Sequence, residues 1–335
     1  MHLIVLTEGA QGRAHADAAA LRADTQALIA RWSPLMLRLA PGWTLAEEPG
    51  LLNSLAERVQ AQLVLGRPLR ADEDGRIPLQ AWFHASDVAH AQEPCARLTP
   101  FHGLVGSDRI TLVPPDELQL SVAESKALFD TLQPLFESEG VALVWNSPLN
   151  WTVRHESLRH LPCASLDRAE GDSVQRWQGA TPLNASRLLR RLQNEAQMVL
   201  HDHPVNQARA QRGALAVNSL WLDHAGAADE LPSASGAPAP SVACAAVPVE
   251  VLRAADSALQ AWVDAALVSP NGPDRPWSEP TLVLCGRHRA QAFTMRQLPS
   301  GWRGAIARTL MRPPRTPPLS QWLDDLDRAP AEGPA

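Results

Sequence analysis

Apolar and polar positions along this chain follow two periods, one suited to strands and one to helices. HLIVL (2–6) is a short apolar run of the kind a buried strand carries. A Gly-containing turn, TEGAQG (7–12), and an Ala/Leu pattern from Asp17 to Ile29 follow, and the second predicts a helix. LNSLAERVQAQLVLG (52–66) predicts another helix and RADEDGRIP (70–78) a charged surface loop. DRITLV (108–113) reads as a strand. PPDELQLSVAESKALFDTLQPLF (114–136) starts with a breaker and continues as an amphipathic helix, for which Ser121 and Glu124 have the spacing of a capping box. VALVW (141–145) and WTVRH (151–155), on either side of NSPLN, predict a hairpin, as do TLVLC (281–285) and AFTMR (292–296) around GRHR. A strand-then-helix opening with two hairpins predicts an α/β fold with a mixed sheet, antiparallel hairpins and flanking helices, not a parallel doubly wound one.

Turn and breaker residues divide this pattern. ELPSASGAPAPS (230–241) is Pro, Ala, Ser and Gly without periodicity. The expected organisation is a main α/β domain over 1–229, a linker or mobile loop over 230–245, a smaller C-terminal α/β part over 246–325 packed on the first, and a disordered tail over 326–335.

Polar chemistry concentrates between 181 and 226. Thr181-Pro182 offers an N-cap and a first-turn proline, and Ala185, Leu188, Leu192, Ala196 and Val199 form one apolar helical face. Glu195 falls on that face, and a buried carboxylate needs a partner. Arg209, Arg212, His201 and His203 are the candidates close in sequence, for a structural ion pair or for a catalytic site. His203-Pro204 is expected to end the helix, Asn206 to cap a short second one, and Gly213 to stop it. VNSLWL (217–222) then reads as a strand, with Asp223, His224 and Gly226 at or just after its C-terminal end, where α/β proteins commonly bind ligands. Glu195, His203, Asn206, Arg209, Asn218, Asp223 and His224 are thus a candidate cluster, either for a ligand or as a structural clasp. His201, His203, Asp223 and His224 are of metal-ligating type, but an H-x-H beside a proline is unspecific and HEXXH is absent, so no metal is expected.

Composition narrows the function classes. Of 335 residues, 45% are hydrophobic and 20% charged, which suits a globular chain with a substantial core. A formal net charge of −6 gives no general attraction to phosphate backbones or anionic lipid. Nucleic-acid binding would have to use the Arg clusters at 187–191 and 303–315 and is disfavoured. Lys126 is the sole lysine among 30 basic residues and tyrosine is absent, a chain-wide skew that reads as coding bias and weakens any argument from arginine. Cys95, Cys163, Cys244 and Cys285 form no metal-binding spacing and read as buried hydrophobes of a reducing compartment. The N-terminal apolar run is short and lacks a basic flank, and no run of about eighteen apolar residues exists, so the expected address is the cytoplasm, with no membrane partner. No GxGxxG, P-loop, GxSxG or EF-hand loop is present, and the 11 tryptophans are scattered.

SLDRAEGDSVQRWQ (165–178), RLLRRLQNEAQMVLHDHPVNQARAQRG (187–213) and VNSLWL (217–222) resemble the proteobacterial regulatory proteins of the RpfE type, with weaker likeness upstream to about residue 98. Members of that family are often labelled phosphoglycerate mutase. HPVN, a following Arg, a Gly and an Asn-led strand are also similar to a segment of the archaeal type of cofactor-independent phosphoglycerate mutase. That second resemblance implies a degenerate relative of the alkaline-phosphatase-like fold. Its chemistry would require two divalent metal ions such as manganese, a Ser nucleophile, and an Asp-Gly pair closing the first strand, where this chain has Glu8-Gly9. The remaining metal ligands are not found, and DHAGA stands after SLW where the family commonly has a glycine run. The expectation is therefore a regulatory-type protein without cofactor, probing an unknown protein or small-molecule ligand near 195–226. The alternative is a metal-dependent phosphoglycerate mutase-like phosphomutase or phosphohydrolase, with Glu8, His201, His203, Asp223 and His224 as its site.

Overall fold

The computed structural model describes residues 3–6, 39–84, 92–179, 187–233, 281–286, 288–295 and 325. In chain order the elements are β1 (Leu3–Leu6), β2 (Leu39–Ala46), α1 (Leu55–Leu65), α2 (Leu79–Phe83), β3 (Cys95–Val105), β4 (Ile110–Val113), α3 (Val122–Glu137), β5 (Ala142–Ser147) and β6 (Asn150–Arg154). They continue with α4 (Leu166–Ala169), α5 (Val174–Gly179), α6 (Arg187–His201), α7 (Pro204–Gln211), β7 (Ser219–Gly226), β8 (Thr281–Cys285) and β9 (Arg289–Met295). Two compact units result, one from Met1–Pro49, Leu55–Pro68 and Ser233–Ala335, the other from Gly50–Ser54 and Leu69–Pro232. Several sequence expectations lie outside the described residues: the helix over Asp17–Ile29, TEGAQG with Glu8, the cap Thr181-Pro182, Cys244 and the Arg cluster at 303–315.

The first unit holds a four-stranded sheet in the order β1-β8-β9-β2. β1 runs parallel to β8, with Leu3 opposite Leu282 and Leu6 opposite Cys285, whereas β8 and β9 form the antiparallel hairpin that the sequence predicts. The sheet is therefore mixed. β2 escapes a reading by pattern because LAPGWTLA carries Pro41 and Gly42 at its centre. Proline is tolerated on an edge strand at a bulge, and β2 is one of the two edge strands among the described residues, with its register shifted between Pro41 and Thr44. α1 lays Leu55, Val59 and Leu63, one residue per turn, on Val283, Cys285, Ala290 and Ala292.

The second unit is built on β3, eleven residues long. Its first half pairs with β6 and with β7, so that Leu98 faces Trp151 on one side and Leu222 on the other, and its second half pairs with β4. β5 extends the sheet beyond β6 with Leu143 opposite Val153, completing the other predicted hairpin. Against this sheet α3 packs Leu128, Leu132 and Phe136, and α6 packs Leu189, Leu192, Ala196 and Leu200. The Phe129 ring meets Trp151 edge-on, centroids 5.4 Å apart. A second cluster around Phe101, Leu112, Trp177 and Trp221 joins β3, β4 and β7 to the short helices α4 and α5.

Local signals explain most of these elements, with two differences. The Ser121–Glu124 capping box is formed as predicted: the Ser121 hydroxyl accepts from the Glu124 N–H at 3.2 Å, and the Ser121 N–H donates to the Glu124 carboxylate at 3.1 Å. RADEDGRIP, however, is not a surface loop throughout, since Glu73, Gly75 and Ile77 are buried. Glu73 folds back to accept from the Arg70 N–H, and Asp74 accepts from the N–H groups of Leu52 and Asn53, so the charges serve the backbone instead of the solvent. β7 runs on to Gly226, four residues beyond the predicted strand, and Asp223 and His224 lie within it rather than after its end. Cys95, Cys163 and Cys285 are buried and unbridged. Among the described residues no helix is long and apolar enough to cross a membrane.

Candidate functional site

The polar residues of 195–226 are held apart by the elements that carry them. α6 ends at His201, and His203 itself caps α7: its Nδ1 accepts the Val205 N–H at 3.2 Å, and Pro204 follows as the first helical residue. The cap predicted for Asn206 is thus corrected. Histidine supplies the acceptor one turn earlier, and Asn206 is inside the helix and buried. The Asn206 carboxamide donates to the carbonyls of Leu200 and Val217, both at 2.7 Å, and accepts from the Val217 N–H at 2.9 Å. It ties the end of α6 to the chain entering β7. Asn218, next along, ties that chain to β3 instead, accepting from the Gly103 N–H at 2.7 Å and donating to its carbonyl at 3.0 Å.

Arg209 is fully buried. Its Nε donates to the Leu215 carbonyl at 2.7 Å, its Nη2 to the Leu118 carbonyl, and its Nη1 to both oxygens of Glu124 at 3.1 Å. Arg212 reaches the same carboxylate from outside. Partial burial alone would raise the Glu124 carboxyl, but hydrogen bonds from Arg212, Ser121 and Arg209 outweigh it and hold the group at about 2. Glu195 is not the partner. It lies at the edge of the α6 face with its side chain 43% exposed, beside Arg191 at 3.8 Å, and the buried stripe runs through Leu189, Leu192, Ala196 and Leu200 while Val199 is exposed.

The residues of metal-ligating type do not gather as a site of four. His201 is exposed next to Asp202. His203 points its Nε2 at the Thr131 hydroxyl of α3, 3.0 Å away, and burial lowers its pKa. Asp223 is fully buried in β7, where it accepts from Arg97 Nε at 2.8 Å, from Arg97 Nη2 at 2.6 Å and from the Leu166 N–H at 2.9 Å. Burial would raise its carboxyl, and the Arg97 charge together with these hydrogen bonds lowers it instead. His224 is buried beside it in a left-handed backbone conformation, φ 56°. Among the described residues neither His201 nor His203 belongs to a group of three His, Cys, Asp or Glu side chains close enough to share an ion.

A cleft of about 290 Å³ opens along the other flank of α6. Its helical wall is Arg190, Gln193, Asn194 and Gln197, and its opposite wall includes Leu161, Trp177 and Trp221. The Gln193 Nε2 donates to the Leu220 carbonyl at 3.2 Å and the Gln197 Nε2 to the Ser219 hydroxyl at 2.9 Å, which docks α6 on β7 and leaves both carboxamide oxygens turned to other use. Both indole N–H groups are spent within the protein, Trp177 on Asp172 and Trp221 on the Ala164 carbonyl, so the two rings offer the cleft only carbon surface. Sequence reading missed this wall because glutamine and asparagine on a helix beside an apolar stripe look like an ordinary solvated flank. Only the spacing of Arg190, Gln193, Asn194 and Gln197, which puts them on one side of the helix, marks it.

No protein-family model matches the chain, and no curated protein is significantly similar to it in sequence. Among solved structures, the chain is similar to the cofactor-independent phosphoglycerate mutase of Thermoplasma acidophilum, at 14% identity and a TM-score of 0.32 over 91% of this chain and 95% of that one. It is also similar to the PH0037 protein of Pyrococcus horikoshii, at 14% identity and a TM-score of 0.33 over 69% of this chain and 52% of that one. These are distant structural likenesses, and neither bears on the residues of the cleft.

Proposed function

We propose that this protein is a non-catalytic binding protein that takes a small ligand in the cleft along α6. The observation that carries the reading is the make-up of the wall. Among the described residues it offers carboxamides, one guanidinium and apolar carbon, but no Asp, Glu, His or Lys to move a proton or hold an ion. Its two nucleophile types are not armed. The Ser219 hydroxyl accepts from Gln197, and Cys163 is buried. Closely spaced polar groups on one helix, in a concave site with some carbon surface between them, are suited to orienting a small polar ligand.

The phosphomutase alternative calls for two ions clamping the attacking and leaving oxygens. His203 caps α7 and Asp223 pairs with Arg97, while His201 stands exposed apart from both, which favours binding over turnover. That the binding serves regulation, in the cytoplasm, is the part of the proposal supported by the likeness of 187–222 to the RpfE-type sequences.

The test is metal analysis of the purified protein, joined to assays of phosphomonoester hydrolysis and phosphoglycerate mutation with added manganese, and to a calorimetric screen of small molecules. The expected result is no stoichiometric metal, no turnover, and saturable binding that Gln193→Leu weakens. Stoichiometric metal lost in His203→Ala, accompanied by turnover, would overturn the reading.

A further inference from the structure

Resting on the cleft as a binding site, we infer that its ligand is a small organic anion that also carries a hydrogen-bond donor. The charge argument comes first. Among the described residues Arg190 is the one ionisable side chain of the wall besides the buried Cys163 thiol, and no carboxylate lines it. Its neighbour Arg191 is neutralised by Glu139 and Glu195. Arg190 has no carboxylate partner among the described residues, so the cleft is locally positive in a chain of net charge −6. An anion is attracted and a cation repelled.

Direction along the helix follows. Arg190 and Asn194 are four residues apart and therefore adjacent on one face of α6. The Asn194 side chain has no hydrogen-bond partner among the described residues, so its amide N–H groups stand beside the guanidinium as a second set of donors for an oxyanion. Beside them Gln193, and one turn beyond it Gln197, have spent N–H groups on Leu220 and Ser219, which leaves carboxamide oxygen as an acceptor for a ligand hydroxyl or N–H. Trp177, Trp221 and Leu161, all buried, complete the lining with a small area of carbon. Arg190 and Gln197 are separated by roughly 10 Å along a helix rising ~1.5 Å per residue, a span that a single-ring molecule with a short acidic arm fills.

Calorimetry on the full chain tests this with four probes: 4-hydroxyphenylacetate, its neutral alcohol 4-hydroxyphenylethanol, phenylacetate without the donor, and phenyl phosphate. The first is expected to bind saturably and the alcohol at least about tenfold more weakly, the loss of one charge-assisted contact. Arg190→Gln should abolish that difference, and Arg187→Gln, on the same helix outside the cleft, should leave it intact. The ratio between phenyl phosphate and phenylacetate tells whether the site prefers phosphate or carboxylate. Equal binding of acid and alcohol, or an unaltered preference in Arg190→Gln, overturns the anion assignment and leaves the cleft reading standing. Binding by none of the four also overturns it, and the wider screen then decides on the cleft itself.

Discussion

The Arg209 guanidinium meets both carboxylate oxygens of Glu124 at 3.1 Å although 85 residues separate the two in sequence. One carboxylate thus closes the first turn of α3 and neutralises a fully buried arginine on α7. Removing it leaves an uncompensated charge in the interior, which costs about 3–5 kcal/mol, whereas loss of a cap alone costs about 1 kcal/mol. Glu124→Ala is therefore expected to lower the urea unfolding free energy by about 3 kcal/mol and Ser121→Ala by about 1 kcal/mol. Equal effects would mean that the ion pair adds nothing to the cap.

Acid should weaken the protein in two steps. His203 must stay neutral at Nδ1 to cap α7, and burial lowers its pKa below the ordinary 6.5. A depressed folded pKa means that the unfolded chain binds the extra proton first, so its contribution is whole above 6.5 and declines as pH falls below that. Glu124 contributes fully above its ordinary 4.5, and its share is lost as pH falls towards about 2. Urea midpoints measured from pH 8 to pH 3 should show a shallow fall near 6 and a steep one below 4.5. His203→Asn, which keeps a capping acceptor, should erase only the first.

Asn206 satisfies three backbone groups at the junction of α6 and β7. In Asn206→Ala the Val217 N–H and C=O lose their partner in the interior while the Leu200 carbonyl keeps the His203 N–H at 3.3 Å, and each unsatisfied group costs about 1–3 kcal/mol. The expected loss is at least 2 kcal/mol, with a Val217 amide that exchanges hydrogen much faster than in the unsubstituted protein. A protected Val217 amide in that variant would show that water or a neighbour replaces the carboxamide.

Two glycines with the same backbone conformation should respond differently to alanine. Gly75 and Gly213 have φ of 75° and 73°, where an L side chain costs about 1 kcal/mol. A Cβ at Gly213 meets nothing within 4 Å, while at Gly75 it would stand 2.5 Å from the Leu52 Cδ1 and 3.3 Å from the Cys163 carbonyl. Gly75→Ala should therefore lower the thermal midpoint by several degrees more than Gly213→Ala.

What could be read from the sequence was local. The capping box, the two hairpins, α1 and the stop at His203-Pro204 all follow from residues within a few positions of one another. β3 was missed although the second unit is built on it, because PCARLTPFHGLV has neither alternation nor a clean apolar run. Pro100 interrupts it, and falls between Leu98, the last residue paired with β6, and His102, the first paired with β4. The partner of Arg209 was sought at Glu195, near in sequence, whereas the fold supplies Glu124 from a distant helix. The cleft was missed for a related reason: its wall is polar without being charged or nucleophilic, and only the approach of β7 turns the α6 flank into a concave surface.

Asn218 has a consequence for how copies of the chain meet. Its carboxamide occupies both main-chain groups of Gly103, next to Leu104 and Val105, which are 55% and 76% exposed. An open N–H and C=O beside two exposed aliphatic residues would be a template for a strand from another molecule. By occupying those two groups with a side chain, the fold removes one pairing site for a foreign strand just beyond Phe101, where the pairing of β3 with β7 ends.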